Sequence, residues 1–166
     1  TRKIRDLFPL TVTLFVICLF TAACSAQQQT EQQALDSLRD LARGGKLPPE
    51  SVAADIEKRF AGKTAGTLAK LLLARIRFDA KDYAAAAAIL NSPDLATRTS
   101  VGDHALWLRG TALQLAGDHR QAMAVFEQLA NDHPDSIRAD EGRISWAASA
   151  IAAGRAADVP EFLAAM

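Results

Sequence analysis

Turn positions recur along this chain at a near-constant interval. Gly45, Lys81, Gly117 and Gly154 are separated by 36, 36 and 37 residues. Each is flanked on both sides by a stretch of helical length. Glycine suits the end of a helix because, lacking a Cβ, it takes the left-handed conformation without penalty. A fixed interval of this size is the mark of a repeated supersecondary unit that buries its apolar face only by stacking on its neighbours. The spacing predicts an all-α chain of stacked helix pairs.

The clearest unit runs from Asp103 to Ser136. Its first helix carries Ala105, Leu108, Ala112 and Leu115 at i, i+3/i+4 spacing, which predicts one buried face. Gly117 ends that helix. Asp118 caps the next, with Gln121 three residues on in the order of a capping box. Ala122, Phe126 and Leu129 form the buried stripe of the second helix. Pro134 stops it, and Asp135 or Ser136 caps the helix after it.

Only 6% of the residues are aromatic although 49% are apolar, so alanine carries much of the apolar fraction. That balance suits closely packed helices and not a β-sandwich. Three basic residues and one acidic residue lie in the first 26 positions. The overall 19 against 19 therefore becomes 16 basic against 18 acidic in the remainder. A slightly acidic chain is a poor match for nucleic acid, whose phosphates need a basic surface.

The first 26 residues read as a secretory signal peptide. Arg2, Lys3 and Arg5 precede an apolar run from Leu7 to Phe20, and small residues continue from Thr21 to Ala26. The run is short for a membrane span and contains Pro9. Two cleavage positions satisfy the small-residue rule, after Ala23 and after Ala26. The first would leave Cys24 at the new terminus and resembles a lipoprotein signal, with Thr21 where that family usually has leucine. Lipid attachment at Cys24, or the leader itself, is then the expected route to a membrane. Cys18 lies inside the leader, so the exported chain holds one cysteine at most and has no disulfide. The expected location is the periplasm or cell envelope. The remaining chain divides into a capping helix pair at 27–63 and the repeats at 64–166. Thr1 and the uncapped approach to Met166 suggest a partial gene product.

The unit at 103–136 resembles a tetratricopeptide repeat. Gly110 and Ala122 stand at its two small crossing positions, Phe126 at its large residue, and Pro134 at its close. Trp107 lies one place from the family's aromatic position, and Arg109 replaces a leucine. A shift of 36 residues gives a weaker copy in which Ala74, Tyr83, Ala86 and Leu90 match Gly110, His119, Ala122 and Phe126. Asn91-Ser92-Pro93 cuts its second helix short. A third copy uses Trp146, Ala147 and Gly154. The resemblance implies antiparallel helix pairs wound into a right-handed superhelix, with a concave face lined by first helices on which Arg75, Asp103, Trp107 and Arg109 are the expected contacts for a protein or peptide.

Residues Val101 to Gly110 and Phe126 to Ser136 also resemble the helical arm of soluble lytic murein transglycosylases. That likeness extends over 64–154 and implies an exported arm ahead of a domain that cleaves peptidoglycan. Glu50-Ser51 matches only the bare pair at that family's catalytic centre, without its surrounding motif. No catalytic residue is assigned.

Chemistry of other kinds finds little support. The pairs Asp103-His104, Asp118-His119 and Asp132-His133 sit near helix ends, where aspartate is a natural cap. No two histidines have the i, i+4 spacing common at zinc sites, and no phosphate-binding loop or nucleophile elbow occurs. No metal or other cofactor is expected.

Overall fold

The computed structural model describes residues 30–45 and 47–164. The expected leader and Cys24 lie outside them. The described residues are helical, in the order α1 (Glu31–Gly44), α2 (Glu50–Arg59), α3 (Thr64–Asp79), α4 (Tyr83–Leu90), α5 (Asp94–Arg98), α6 (Gly102–Leu115), α7 (His119–Asp132), α8 (Ile137–Ala152), a 3-10 turn (Ala156–Asp158) and α9 (Val159–Ala164). Among them no helix is long and apolar enough to cross a membrane.

All of the spaced turn positions have left-handed backbone. The φ values are 62° at Gly45, 63° at Lys81, 84° at Gly117 and 77° at Gly154. Lys81 is the non-glycine residue among the described ones that does this. The last three turns share one hydrogen-bond pattern. The amides of Lys81, Gly117 and Gly154 donate to Phe78, Gln114 and Ile151 at 2.9, 3.1 and 3.1 Å. Those of Asp82, Asp118 and Arg155 donate to Arg77, Leu113 and Ala150 at 2.9, 2.9 and 2.7 Å. These paired bonds define the Schellman turn, which satisfies the carbonyls left over at a helix end. Gly62, with φ 73°, makes a further left-handed turn between α2 and α3 that the spacing does not announce.

Asp82 and Asp118 then cap α4 and α7, accepting from Ala85 N at 3.4 Å and Gln121 N at 3.1 Å. The Gln121 side chain turns back to the Asp118 carboxylate, not to its backbone, so the box expected there is half formed. A complete capping box occurs instead at α1, between Thr30 and Gln33. At the fourth turn Arg155 stands where the second and third turns have Asp82 and Asp118. A guanidinium cannot accept an amide hydrogen bond, and the chain passes through the 3-10 turn before α9 begins.

The helices pack in chain order. α3 meets α2 and α4, α6 meets α4 and α7, and α8 meets α7, while α1 packs chiefly against α3 and α8 reaches back to α6. Three apolar clusters run through this order: Ala34, Leu38, Ile56, Phe60, Ala65 and Ala69; Ala74, Leu90, Leu95, Ala105 and Leu108; and a third around Ala86, Ala112, Ala122, Phe126 and Trp146. The expected packing residues Ala74, Ala86, Leu90, Gly110, Ala122 and Phe126 are all buried. Tyr83 is half-buried and meets Phe78 edge-on at 5.3 Å. Pro134 lies just past the end of α7.

One expectation needs correction. Leu115 is 51% exposed, and Leu113 takes the buried place. They stand two positions apart, about 200° around a helix, so the apolar face drifts onto α4 and α7 near its end. The break at Asn91-Ser92-Pro93 does shorten α4, but the chain then forms α5 and sends Leu95 into the core at 2% exposure.

Glycines set the closest crossings. A Cβ at Gly66 would overlap the Phe60 carbonyl oxygen, and one at Gly102 would lie 3.1 Å from Ala96 Cα. Both members of that contact shift together by 36 residues. Across the later helices, a Cβ at Gly110 would meet the Phe126 ring, and one at Gly142 would lie 2.9 Å from Leu129.

Candidate functional site

α3 reverses the usual assignment of large and small side chains. Ala65, Ala69 and Ala74 are fully buried. Leu68, Leu71 and Leu72, on another face of the same helix, stay half-exposed. With Arg75 and Asp79 they form a stripe at 68, 71, 72, 75 and 79, which is helical spacing. α1 supplies a second stripe through Leu35, Leu38 and Leu41. Between the stripes lies an open apolar groove of about 730 Å³, extended by Leu47 and reaching His104 of α6. Large apolar side chains left partly exposed at the edge of an alanine-filled core mark a surface suited to an apolar partner.

The charges at the rim are already matched. Arg39 pairs with Asp36 at 2.7 Å and Arg75 with Asp79 at 2.9 Å. Exposed pairs of this kind contribute little to stability. They do leave the groove without a strong net field, so its leucines determine what it accepts.

His104 closes the far end. It stacks on Trp107 at 5.8 Å with 23° between the rings. Arg138 of α8 covers Trp107 at 4.4 Å from the ring centre, while its guanidinium pairs with Glu141 at 2.6 Å. Burial pushes the His104 imidazole below its ordinary value, and the Arg138 charge adds to that, against the opposing pull of Asp103. Beside it, Ser136 Oγ donates to Asp103 Oδ2 at 2.6 Å and accepts from Arg138 N at 3.1 Å. That hydrogen bond holds the Asp103 carboxyl below the usual carboxylate range, against a smaller desolvation effect. One hydroxyl thus caps α8 and ties it to α6.

Of the four residues expected on one face, Arg75, Asp103 and Trp107 gather around His104, and Arg109 does not. Arg75 lines the groove. Asp103 joins α6 to α8, and Trp107 lies beneath Arg138. Arg109 is about 200° around α6 from Trp107. Its Nε is buried without a hydrogen-bond partner, and burial pulls its guanidinium below its ordinary value. The groove leucines and His104 are the residues that sequence reasoning missed. The stripe at 68, 71, 72 and 75 was a readable signal, but an apolar stripe reads as core until its neighbours are known. Among the described residues no group of three or more His, Cys, Asp or Glu side chains could hold a metal.

Among the described residues the chain is all-helical, with helices stacked in chain order and an apolar groove along the early ones. A family model for the tetratricopeptide repeat matches residues 104–136, the stretch from the start of α6 to the cap of α8. No curated protein and no solved structure matches the chain.

Proposed function

We propose that the chain is an exported scaffold of the cell envelope whose stacked helix pairs form a right-handed superhelix. It binds a protein or peptide partner in the groove between α1 and α3. The groove itself carries this reading: half-exposed leucines on two helices, rimmed by charges that already neutralise each other. An amphipathic helix or extended segment offering a row of apolar side chains fits such a surface. The tetratricopeptide match at 104–136 supports a scaffold role, since repeats of that kind generally bind proteins. Export rests on the signal-like order of residues 1–26, and Cys24 is the residue that would carry a lipid anchor. A narrower form of the proposal makes the chain the arm of a peptidoglycan-cleaving transglycosylase, on the resemblance of Val101 to Gly110 and Phe126 to Ser136.

A photo-crosslinking residue at Leu72 tests the groove in cells. It should capture a discrete partner that the same residue at Gln128, on α7, does not. Equal capture at both positions, or none at Leu72, would count against the groove. Cys24→Ala with subsequent membrane fractionation tests the anchor, and an unchanged distribution would rule it out.

A further inference from the structure

His104 is a half-buried ionisable ring at the end of a groove lined mainly by leucine. Its surroundings make a positive charge there costly. Trp107, one helical turn on, stacks against it, and an indole offers no hydrogen-bond acceptor. The charges that act on it come from α3, α6 and α8. Two of them are guanidinium groups, Arg75 and Arg138, and both oppose protonation. Each is paired, with Asp79 at 2.9 Å and Glu141 at 2.6 Å. Asp103, its neighbour on α6, favours protonation but is held by the Ser136 hydroxyl at 2.6 Å. His133, just past α7, acts on that same carboxylate. The other charges nearby satisfy one another: Arg39 of α1 pairs with Asp36, and Arg98 of α5 with Asp94.

We propose, on the reading of the groove as the binding surface, that the charge of His104 controls its occupancy: the neutral ring admits an apolar segment, and the imidazolium expels it. A segment filling the groove removes the water left around His104, and the charged form depends on that water. Occupancy and protonation therefore oppose one another, each weakening the other by the same factor. Burial already holds the ring's titration below the ordinary 6.5, and an occupant lowers it further. Binding is then complete above about pH 6.5 and weakens as pH falls through the value of the empty groove toward that of the filled one. A segment that presented a carboxylate to His104 would have the opposite sign and bind more tightly in acid.

N-phenylnaphthylamine, a neutral apolar dye, serves as the probe for the full chain. Leu72→Glu marks the part of its binding that belongs to the groove. That part should weaken about three- to tenfold between about pH 7.5 and 5.5, tenfold corresponding to a displacement of the ring's titration by one pH unit. His104→Gln should bind with a flat profile, whatever its affinity. Circular dichroism checks that the chain is helical at both ends of the range. The chain has three histidines. In proton NMR, saturating dye should move the His104 titration to lower pH and leave the other two in place. Should His104→Gln fail to fold, that displacement in the unaltered chain decides.

Absence of dye binding, or binding that Leu72→Glu leaves intact, refutes the groove and the proposal with it. Leu72-dependent binding that is flat in pH, tighter in acid, or unaccompanied by movement of the His104 titration overturns the proposal alone. So does a pH profile that His104→Gln leaves unchanged.

Discussion

A Cβ placed on Gly110 would lie 2.5 Å from Cε1 of Phe126, a ring with no exposed surface. A Cβ on Gly142 would lie 3.4 Å from Cδ1 of the same ring, which is fully buried and has little room to move. α6 and α8 thus close on Phe126 of α7 through two glycines.

Gly110→Ala should therefore destabilise the fold by about 1–2 kcal/mol: overpacking outweighs the gain in helix propensity. Gly142→Ala meets the more mobile Leu129 side chain and should cost less. Urea unfolding of the two variants side by side checks the order, and equal midpoints would contradict it.

Lys81→Gly should do the opposite. A left-handed lysine costs about 1–2 kcal/mol, and glycine returns part of that as unfolded-chain entropy. The expected gain is about 0.5–1 kcal/mol, read as a higher thermal midpoint. A fall would mean that Lys81 makes a contact worth more than its backbone strain.

Much of the architecture is legible in the residues alone. The turns at 45, 81, 117 and 154, the cap at Asp118, and the buried Gly110, Ala122 and Phe126 come from local chemistry and a constant interval. The features that escape depend on distant neighbours. Leu68, Leu71 and Leu72 look like core until α1 is seen to leave them open. Leu115 looks buried until α6 is seen to turn toward Leu113. Trp107 and Arg109 look adjacent in sequence, yet the helix sends them to different sides. Glycine at 66 and 102 carries no sign of its close approach, because the atoms it meets belong to the preceding element.

Ser136→Ala removes an α8 cap and the donor to Asp103 together. The expected loss is about 1–2 kcal/mol. Asp103→Asn in the same background should add little, since the two share one hydrogen bond. A double-mutant cycle with no coupling would show the bond to be absent in solution.

His104 gives a pH dependence of known sign. Its folded value lies below the ordinary 6.5, so the unfolded chain binds the proton more readily. Its contribution to stability is complete above about pH 6.5 and is lost as pH falls through that value toward the folded one. His104→Gln should flatten this slope without removing the loss at lower pH. A slope unchanged by the substitution would assign it to another group.

The contact between residues 60 and 66 reappears between 96 and 102, and the Schellman turns at 81 and 117 keep the same step. Genetically, this makes the chain modular. A cut after one left-handed turn position and a cut after the next release a cassette whose two ends offer the same joint. A copy of that cassette spliced back in frame meets neighbours it is already shaped for, so such a gene can lengthen by duplication without inventing a new interface.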